Sequence, residues 1–185
     1  SYTRIAGYVF QEDVLMSTLT VRECLLFSAN LRLPDCVTSS EKIQIVNKIM
    51  EELGITHIAD RKIGDEMSRG ISGGEKRRVS IGMELVIQPQ LLFLDEPTSG
   101  LDAAAAYQVV NLLVNLAKKG RTILFSIHQP RSNIFQKFDE IILLSGGNIA
   151  YAGAANHALE HFSRIGYQCP MNYNPADYLI DVLAQ

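Results

Sequence analysis

Leu91-Leu92-Phe93-Leu94-Asp95-Glu96-Pro97-Thr98-Ser99-Gly100-Leu101-Asp102 is the stretch whose reading decides how this chain folds. Four apolar residues in a row predict a strand buried on both faces, as in the middle of a parallel sheet. Pro97 cannot continue a ladder and Gly100 permits a tight turn, so the strand ends where the acids begin. Asp95 and Glu96 therefore stand at a strand's carboxyl end, the edge at which open α/β sheets bind ligands. Two carboxylates there suit a metal ion and a polarised water. They equally suit the capping of a turn, and the pair alone does not decide between the two.

The rest of the composition narrows the field. At 185 residues, 47% of them apolar, the chain is the size of one domain with enough material for a real core. A net charge of -3 gives no electrostatic reason to expect nucleic-acid binding. The basic run Lys76-Arg77-Arg78 is short, lies between Glu75 and Glu84, and reads as a solvated helix face. Cys24, Cys36 and Cys169 are odd in number and far apart, which fits reduced thiols better than a disulfide framework or a metal site. No signal-peptide pattern opens the sequence, and no run of about 20 apolar residues could span a bilayer, so the chain as given is expected to be soluble.

Around the Asp-Glu strand the order of elements is legible. Ile5 to Phe10 reads as a strand running into Gln11-Glu12-Asp13, where a neutral amide could reach a metal or its water, or simply line a surface loop. Thr20 with Glu23 and Thr38 with Glu41 are capping boxes that open two amphipathic helices. Pro34 stops the first and Gly54 the second. From about Val14 to Arg69 there is no strand signal, which predicts a helical insertion. Ile71-Ser72-Gly73-Gly74-Glu75 then opens a helix running to about Ile87. Bare backbone N–H groups, the dipole's positive end and a hydroxyl meet there, as in a phosphate cradle or an ordinary loop before a helix.

After the acids, Ala103 to Lys119 predicts a helix ended by Gly120, and Thr122 to Ile127 a second buried strand ending in His128-Gln129-Pro130. A right-handed parallel crossover places His128 on the edge that carries Asp95 and Glu96. Glu140 to Leu144 and Asn148 to Ala152 read as a hairpin through Ser145-Gly146-Gly147, expected to finish one side of the sheet. Helices follow at Ala155 to Ile165 and at Asn174 to Leu183, the latter with Asn at its cap and Pro175 at its first position.

Gln11, Ser72-Gly73-Gly74, Asp95-Glu96, Ser99-Gly100-Leu101-Asp102 and His128 together resemble, in order and spacing, the motif set of the ATPase domain of ATP-binding cassette (ABC) transporters. Gln11 is similar to the Q-loop and Ile71 to Glu75 to the signature. Leu91 to Glu96 resemble the Walker B strand, Ser99 to Asp102 the D-loop, and His128 the switch histidine. Glu75 stands where Gln is commoner. With Ile127-His128-Gln129-Pro130-Arg131 and Asn174-Pro175-Ala176-Asp177, it resembles the G subfamily, the White and breast-cancer-resistance-type half-transporters.

The resemblance implies an α/β fold: a P-loop NTPase-like, mostly parallel sheet core formed by residues 1–13 and 89–153. A helical subdomain at about 14–88 and a helical tail at 154–185, leading to a membrane domain of the same chain, complete the expected organisation. It also implies ATP and Mg²⁺. Asp95, with Gln11, would hold the metal, Glu96 would orient or deprotonate the attacking water, and His128 would hydrogen-bond the γ-phosphate. Ser72, Gly73, Gly74 and Glu75 of one domain would meet the nucleotide of a second in a head-to-tail dimer, homo- or heteromeric. Asp102 would join the halves, and Gln11 would report nucleotide state to the membrane domain. The implied activity is ATP hydrolysis powering export of lipids, sterols or amphipathic compounds, with the ATPase domain on the cytoplasmic face of a membrane and no nucleic-acid partner. A soluble ABC-type ATPase acting on nucleic acid or ribosomes is the alternative; the acidic balance and the two subfamily-like motifs speak against it.

One departure is equally specific. No Gly-x-x-x-x-Gly-Lys-[Ser/Thr] occurs, and Gly120-Arg121-Thr122 is its nearest echo. In the family that P-loop, with its strand and helix, precedes the Q-loop, hence upstream of Ser1. The sheet is therefore expected to be incomplete, with exposed apolar edge, and the chain alone to be inactive toward ATP.

Overall fold

The central strand, β2 (Leu91–Leu94), lies between β1 (Ala6–Val9) and β3 (Thr122–Phe125) in a three-stranded sheet with the order β1-β2-β3. Both pairings are parallel, with Val9 opposite Leu94 and Leu94 opposite Phe125. A computed structural model describes residues 5–65 and 67–184 of the chain. It divides into two compact units, Ser1–Ile127 and His128–Gln185.

In the first unit one face of the sheet supplies Val9, Leu92 and Leu94 to the main core, which the helices complete. The other face does not match the expectation of burial on both sides. Leu91 and Phe93 are only half-buried, β3 carries no buried residue, and Tyr8 and Leu124 are 46% and 50% exposed. The uninterrupted apolar run therefore reports strand formation but not two-sided burial.

The helices follow their local signals. α1 (Val21–Arg32) and α2 (Ser39–Glu52) each begin with the expected capping box, Thr20 N–H donating to Glu23 and Thr38 N–H to Glu41, both at 2.8 Å. Gly54, at φ +65°, follows α2 in the left-handed conformation that glycine reaches without strain. α3 (Gly73–Leu85) packs on α1 and α2 through Gly82, where a β-carbon would come within 2.9 Å of both Leu25 Cδ2 and Leu53 Cδ1. A mid-helix glycine that costs about 1 kcal/mol in propensity is thus explained by close approach. α4 (Ala103–Lys118) bridges β2 and β3 with Val109, Leu112, Leu113 and Leu116 buried. Between α2 and α3 the described residues form no strand, as expected, beyond one isolated bridge from Thr20 to Lys62.

The second unit holds α5 (Ser132–Phe135), the antiparallel pair β4 (Glu140–Ser145) and β5 (Asn148–Ala154), α6 (Ala158–Arg164) and α7 (Pro175–Leu183). The hairpin does not finish the parallel sheet. It is a two-stranded sheet of its own, turning through Gly146 and Gly147 at φ +54° and +79°. Two positive φ values match a turn twisted to suit its strands, so the turn was readable but its destination was not. Phe135, Ala158, Phe162, Ala176 and Leu179 form a separate small core in this unit.

Candidate functional site

The ladder continues one residue past β2, with Asp95 N–H donating to the Val9 carbonyl at 2.9 Å and Ser126 N–H to the Leu94 carbonyl at 3.1 Å. That register sets Asp95 beside Ser126. The Ser126 hydroxyl donates to Asp95 Oδ1 at 2.7 Å and accepts Glu96 N–H at 2.9 Å. Glu96 has φ +41°, a left-handed conformation that costs a non-glycine residue about 1–3 kcal/mol and is tolerated where the surroundings over-determine it. The turn continues with Ser99 N–H on the Glu96 carbonyl at 3.0 Å.

Gln11 reaches across from the end of β1. Its Nε2 donates to Glu96 Oε2 at 3.2 Å and lies 3.5 Å from Ser99 Oγ. Three of the expected residues, Gln11, Asp95 and Glu96, thus meet at one sheet edge, together with Ser99 and Ser126. Among the described residues neither carboxylate accepts a turn's backbone N–H, so the pair does not act as a turn cap.

The Ser72-Gly73-Gly74 turn does open a helix. Ser72 caps α3 in a third capping box: its N–H and its hydroxyl donate to Glu75 Oε2 at 2.7 and 2.8 Å. Burial alone would raise the Glu75 carboxyl. The bonds from Ser72, with the charges of Arg61 and His57, bring it below the usual carboxylate range instead. His57 Nε2 stands 3.7 Å from the other oxygen, Oε1. A β-carbon on Gly74 would come within 3.1 Å of Ala105 Cβ, and one on Gly73 within 3.4 Å of Leu101 Cδ2. The glycines therefore let α3 start tightly against the Leu101–Ala105 segment, besides leaving their N–H groups bare. Asp102 caps α4, accepting Ala104 and Ala105 N–H at 2.9 and 3.0 Å, and those two bonds hold its carboxyl low.

His128 opens the second unit. Gln129 beside it has φ +44°, and the Pro130 carbonyl accepts Asn174 Nδ2 at 3.4 Å. The Asn174-Pro175-Ala176-Asp177 motif thereby anchors the turn that carries His128.

Two site features escaped the sequence reading. Ser126 was detectable in principle, since parallel register pairs the residue after β3 with the residue after β2. Arg77 was misread: the basic run is not a solvated face. Lys76 Nζ donates to the Gly64 carbonyl at 2.9 Å and Arg78 to Gln108 at 2.7 Å, while Arg77 is 3% exposed. Its guanidinium holds the carbonyls of Phe10 and Gln11 at 2.8 and 2.5 Å and faces Asp13.

The donor set fits a hard cation accompanied by a phosphate ligand. Among the described residues no group of three or more His, Cys, Asp or Glu side chains could hold a metal by itself. Asp95 with one amide and hydroxyl neighbours matches Mg²⁺, which keeps waters and substrate phosphates in its shell. Because Gln11 Nε2 is turned to Glu96, its Oε1 is the atom free to face a cation.

A parallel α/β sheet with an acid pair at its carboxyl edge is the kind of edge at which open α/β sheets bind ligands. The family model described as ABC transporter matches residues 1–99, and one described as ABC-2 type transporter matches residues 128–185. The chain belongs to the ABC transporter family. It is 53% identical over 178 residues to the broad substrate specificity ATP-binding cassette transporter ABCG2 of Rattus norvegicus, a match covering 96% of this chain and 27% of that protein. To ABC transporter G family member 13 of Arabidopsis thaliana it is 50% identical over 175 residues, covering 95% of this chain and 26% of the relative. These place it in the G subfamily, and it spans about a quarter of the length of these relatives. Among solved structures, cbiO1 from Clostridium perfringens, part of the ABC transporter complex cbiONQ, superposes with a TM-score of 0.70 at 28% identity. That match covers 88% of this chain and 62% of the other. Among the described residues no helix is long and apolar enough to cross a membrane.

Proposed function

We propose that this chain is part of an ATP-binding and hydrolysing domain that powers export across a membrane, working as one of a head-to-tail pair on the cytoplasmic face. The observation that carries this reading is the contact of Gln11 Nε2 with Glu96 Oε2 beside the Ser126-held Asp95. A carboxylate fixed on one oxygen by an amide keeps the other for a water, which is what a general base for phosphoryl transfer needs.

In this reading Glu96 accepts the proton of the attacking water, and Asp95 with Gln11 Oε1 would hold Mg²⁺. The ion, when bound, neutralises charge on the phosphates. Ser126 keeps Asp95 and the Glu96 backbone in register. Ser72, Gly73 and Gly74 present N–H groups and a hydroxyl to the γ-phosphate held by the partner domain. For this the Ser72 hydroxyl turns from Glu75, whose carboxylate otherwise occupies it. His128 donates to the γ-phosphate of this domain's own nucleotide, Asp102 marks the junction of the halves, and the membrane domain responds to Gln11. The exported compounds are lipids, sterols or other amphipaths.

The test is Glu96→Gln in the full-length protein. Turnover should fall by about 10²-fold or more, in line with loss of a positioned general base. Near-normal ATPase activity would sink the role given to Glu96.

A further inference from the structure

Among the described residues of the first unit, Arg77 is the most deeply buried charged side chain, and the proposed chemistry does not use it. It sits one turn into α3, after Ser72-Gly73-Gly74, and reaches the chain leaving β1. Its Nη1 donates to the Phe10 carbonyl at 2.8 Å and its Nη2 to the Gln11 carbonyl at 2.5 Å. Asp13 Oδ1 stands 3.1 Å from the same Nη1. That oxygen makes no aligned hydrogen bond, so the two charges meet without a directional bond. Burial raises the Asp13 carboxyl against the opposing pull of Arg77. Orientation therefore rests on the two carbonyls.

Those carbonyls are consecutive, and this gives the contact its meaning. The Phe10 carbonyl lies in the peptide plane before Gln11, and the Gln11 carbonyl in the plane after it. Holding both planes holds φ and ψ of Gln11, the two soft torsions that aim its side chain. Little else does so: β1 has ended at Val9, and Phe10 and Val14 are 64% and 82% exposed. The side chain so aimed is the one whose Nε2 meets Glu96 Oε2. A planar fork of N–H donors suits this task, because it fixes two acceptors relative to one another.

We infer that Arg77 is a positioning residue for hydrolysis: by clamping the main chain of Gln11 it sets the amide that orients Glu96, and it ties the helix opening at Ser72 to that carboxylate. The inference rests on the ATPase reading above. If Ser72-Gly73-Gly74 serve the partner's nucleotide while Gln11 and Glu96 serve this domain's own, the guanidinium links two nucleotide sites.

The experiment is a double-mutant cycle in the full-length protein. Arg77→Lys keeps a charge beside Asp13 but replaces the fork with one ammonium, which cannot hold two carbonyl planes. It should lower kcat about tenfold while leaving KM for ATP within about twofold, the signature of a misaimed catalytic group and not of lost binding. In a Gln11→Ala background the same substitution should lower kcat no further, because its effect passes through Gln11. Wild-type kcat in Arg77→Lys, or losses that multiply with Gln11→Ala, would overturn the inference.

Should Arg77→Lys not accumulate, Arg77→Gln, a neutral side chain whose single amide cannot hold both carbonyls, takes its place in the same cycle. It should lower kcat about tenfold in the wild-type background and no further in the Gln11→Ala background. Unchanged kcat in Arg77→Gln counts against the inference. Glu96→Gln separates the two failures. Full activity in that variant removes the ATPase reading and this inference with it, whereas an inactive Glu96→Gln alongside a multiplicative Arg77–Gln11 cycle removes only the role of Arg77.

Discussion

Ser126 donates its hydroxyl to Asp95 Oδ1 at 2.7 Å, and the same oxygen receives the N–H of Glu96 at 2.9 Å. One hydroxyl thus sets the side chain of the first acid and the main chain of the second, where the backbone is strained at φ +41°. Ser126→Ala leaves both groups to water. In the full-length protein it should raise the Mg²⁺ concentration for half-maximal ATPase about tenfold, the usual scale for losing a partner of a metal-binding carboxylate. Ser126→Thr, which keeps the oxygen, should restore most of the activity. A Mg²⁺ titration of ATPase rates checks both.

Gly70 leads into the signature turn under tighter constraint than any propensity argument suggests. A β-carbon there would run into the carbonyl of Ile63, the same group that accepts Ile71 N–H at 3.1 Å. Backbone cannot step aside as a side-chain tip can, so Gly70→Ala should destabilise by at least about 2–3 kcal/mol. Gly54→Ala is the comparison: nothing lies within 4 Å of the added carbon, and only φ +65° is unfavourable, a cost of about 1–2 kcal/mol. Thermal unfolding of the two variants should rank them in that order.

The contrast between these glycines bears on what a reader of the sequence can see. Gly54 was legible as a helix stop because its signal is local. So were the capping boxes at Thr20 and Thr38, the Asn174-Pro175 start of α7, and the ending of β2 at the acids. Gln11, Asp95 and Glu96 could be placed at one edge because parallel register carries strand ends to the same side. What stayed hidden depends on contacts far apart in the chain. Arg77 reaches residues 66 and 67 positions away, and charge patterning alone cannot tell a basic residue that finds two carbonyls from one that faces water. The half-open second face of β2 and the separate β4–β5 sheet are likewise matters of which elements arrive, not of the residues in them.

Acid should weaken the fold from the carboxylates downward. Asp65 is held at about 2, from an ordinary 3.8, by the hydroxyl of Ser17 and the N–H and hydroxyl of Ser68. Burial would raise Glu52, but Lys119 at 2.7 Å and Arg121 at 3.2 Å keep it below its ordinary 4.5. A carboxyl depressed in the folded state contributes stability above its unfolded value and loses it as pH falls toward its folded one. The loss should therefore run from about pH 4.5 down to about 2. Asp13, raised by burial, works in the opposite direction and softens the slope. Unfolding midpoints measured from pH 7 to pH 3 should fall with pH, and Asp65→Asn should flatten the lower part of that curve.

Asn174 offers a prediction that separates stability from catalysis. Its Oδ1 accepts the Ser132 hydroxyl at 2.8 Å and Ala176 N–H at 3.3 Å, while its Nδ2 donates to Asp177 at 2.8 Å and to the Pro130 carbonyl at 3.4 Å. Asn174→Ala removes all four and should cost the second unit about 1–2 kcal/mol, the value of a lost N-cap. Asn174→Asp keeps the acceptor for Ser132 and α7 but loses both donors and sets a second carboxylate against Asp177. The helix cap survives in that variant and the tether to Pro130 does not. If the tether serves only the fold, Asn174→Asp should be milder than Asn174→Ala in every assay. If it holds the His128 turn for phosphate contact, Asn174→Asp should match Asn174→Ala in lost ATPase turnover, about tenfold for a misplaced catalytic group, while unfolding at a higher temperature. Paired turnover and unfolding measurements on the two variants decide it, because only a positional role makes activity follow the amide and stability follow the cap.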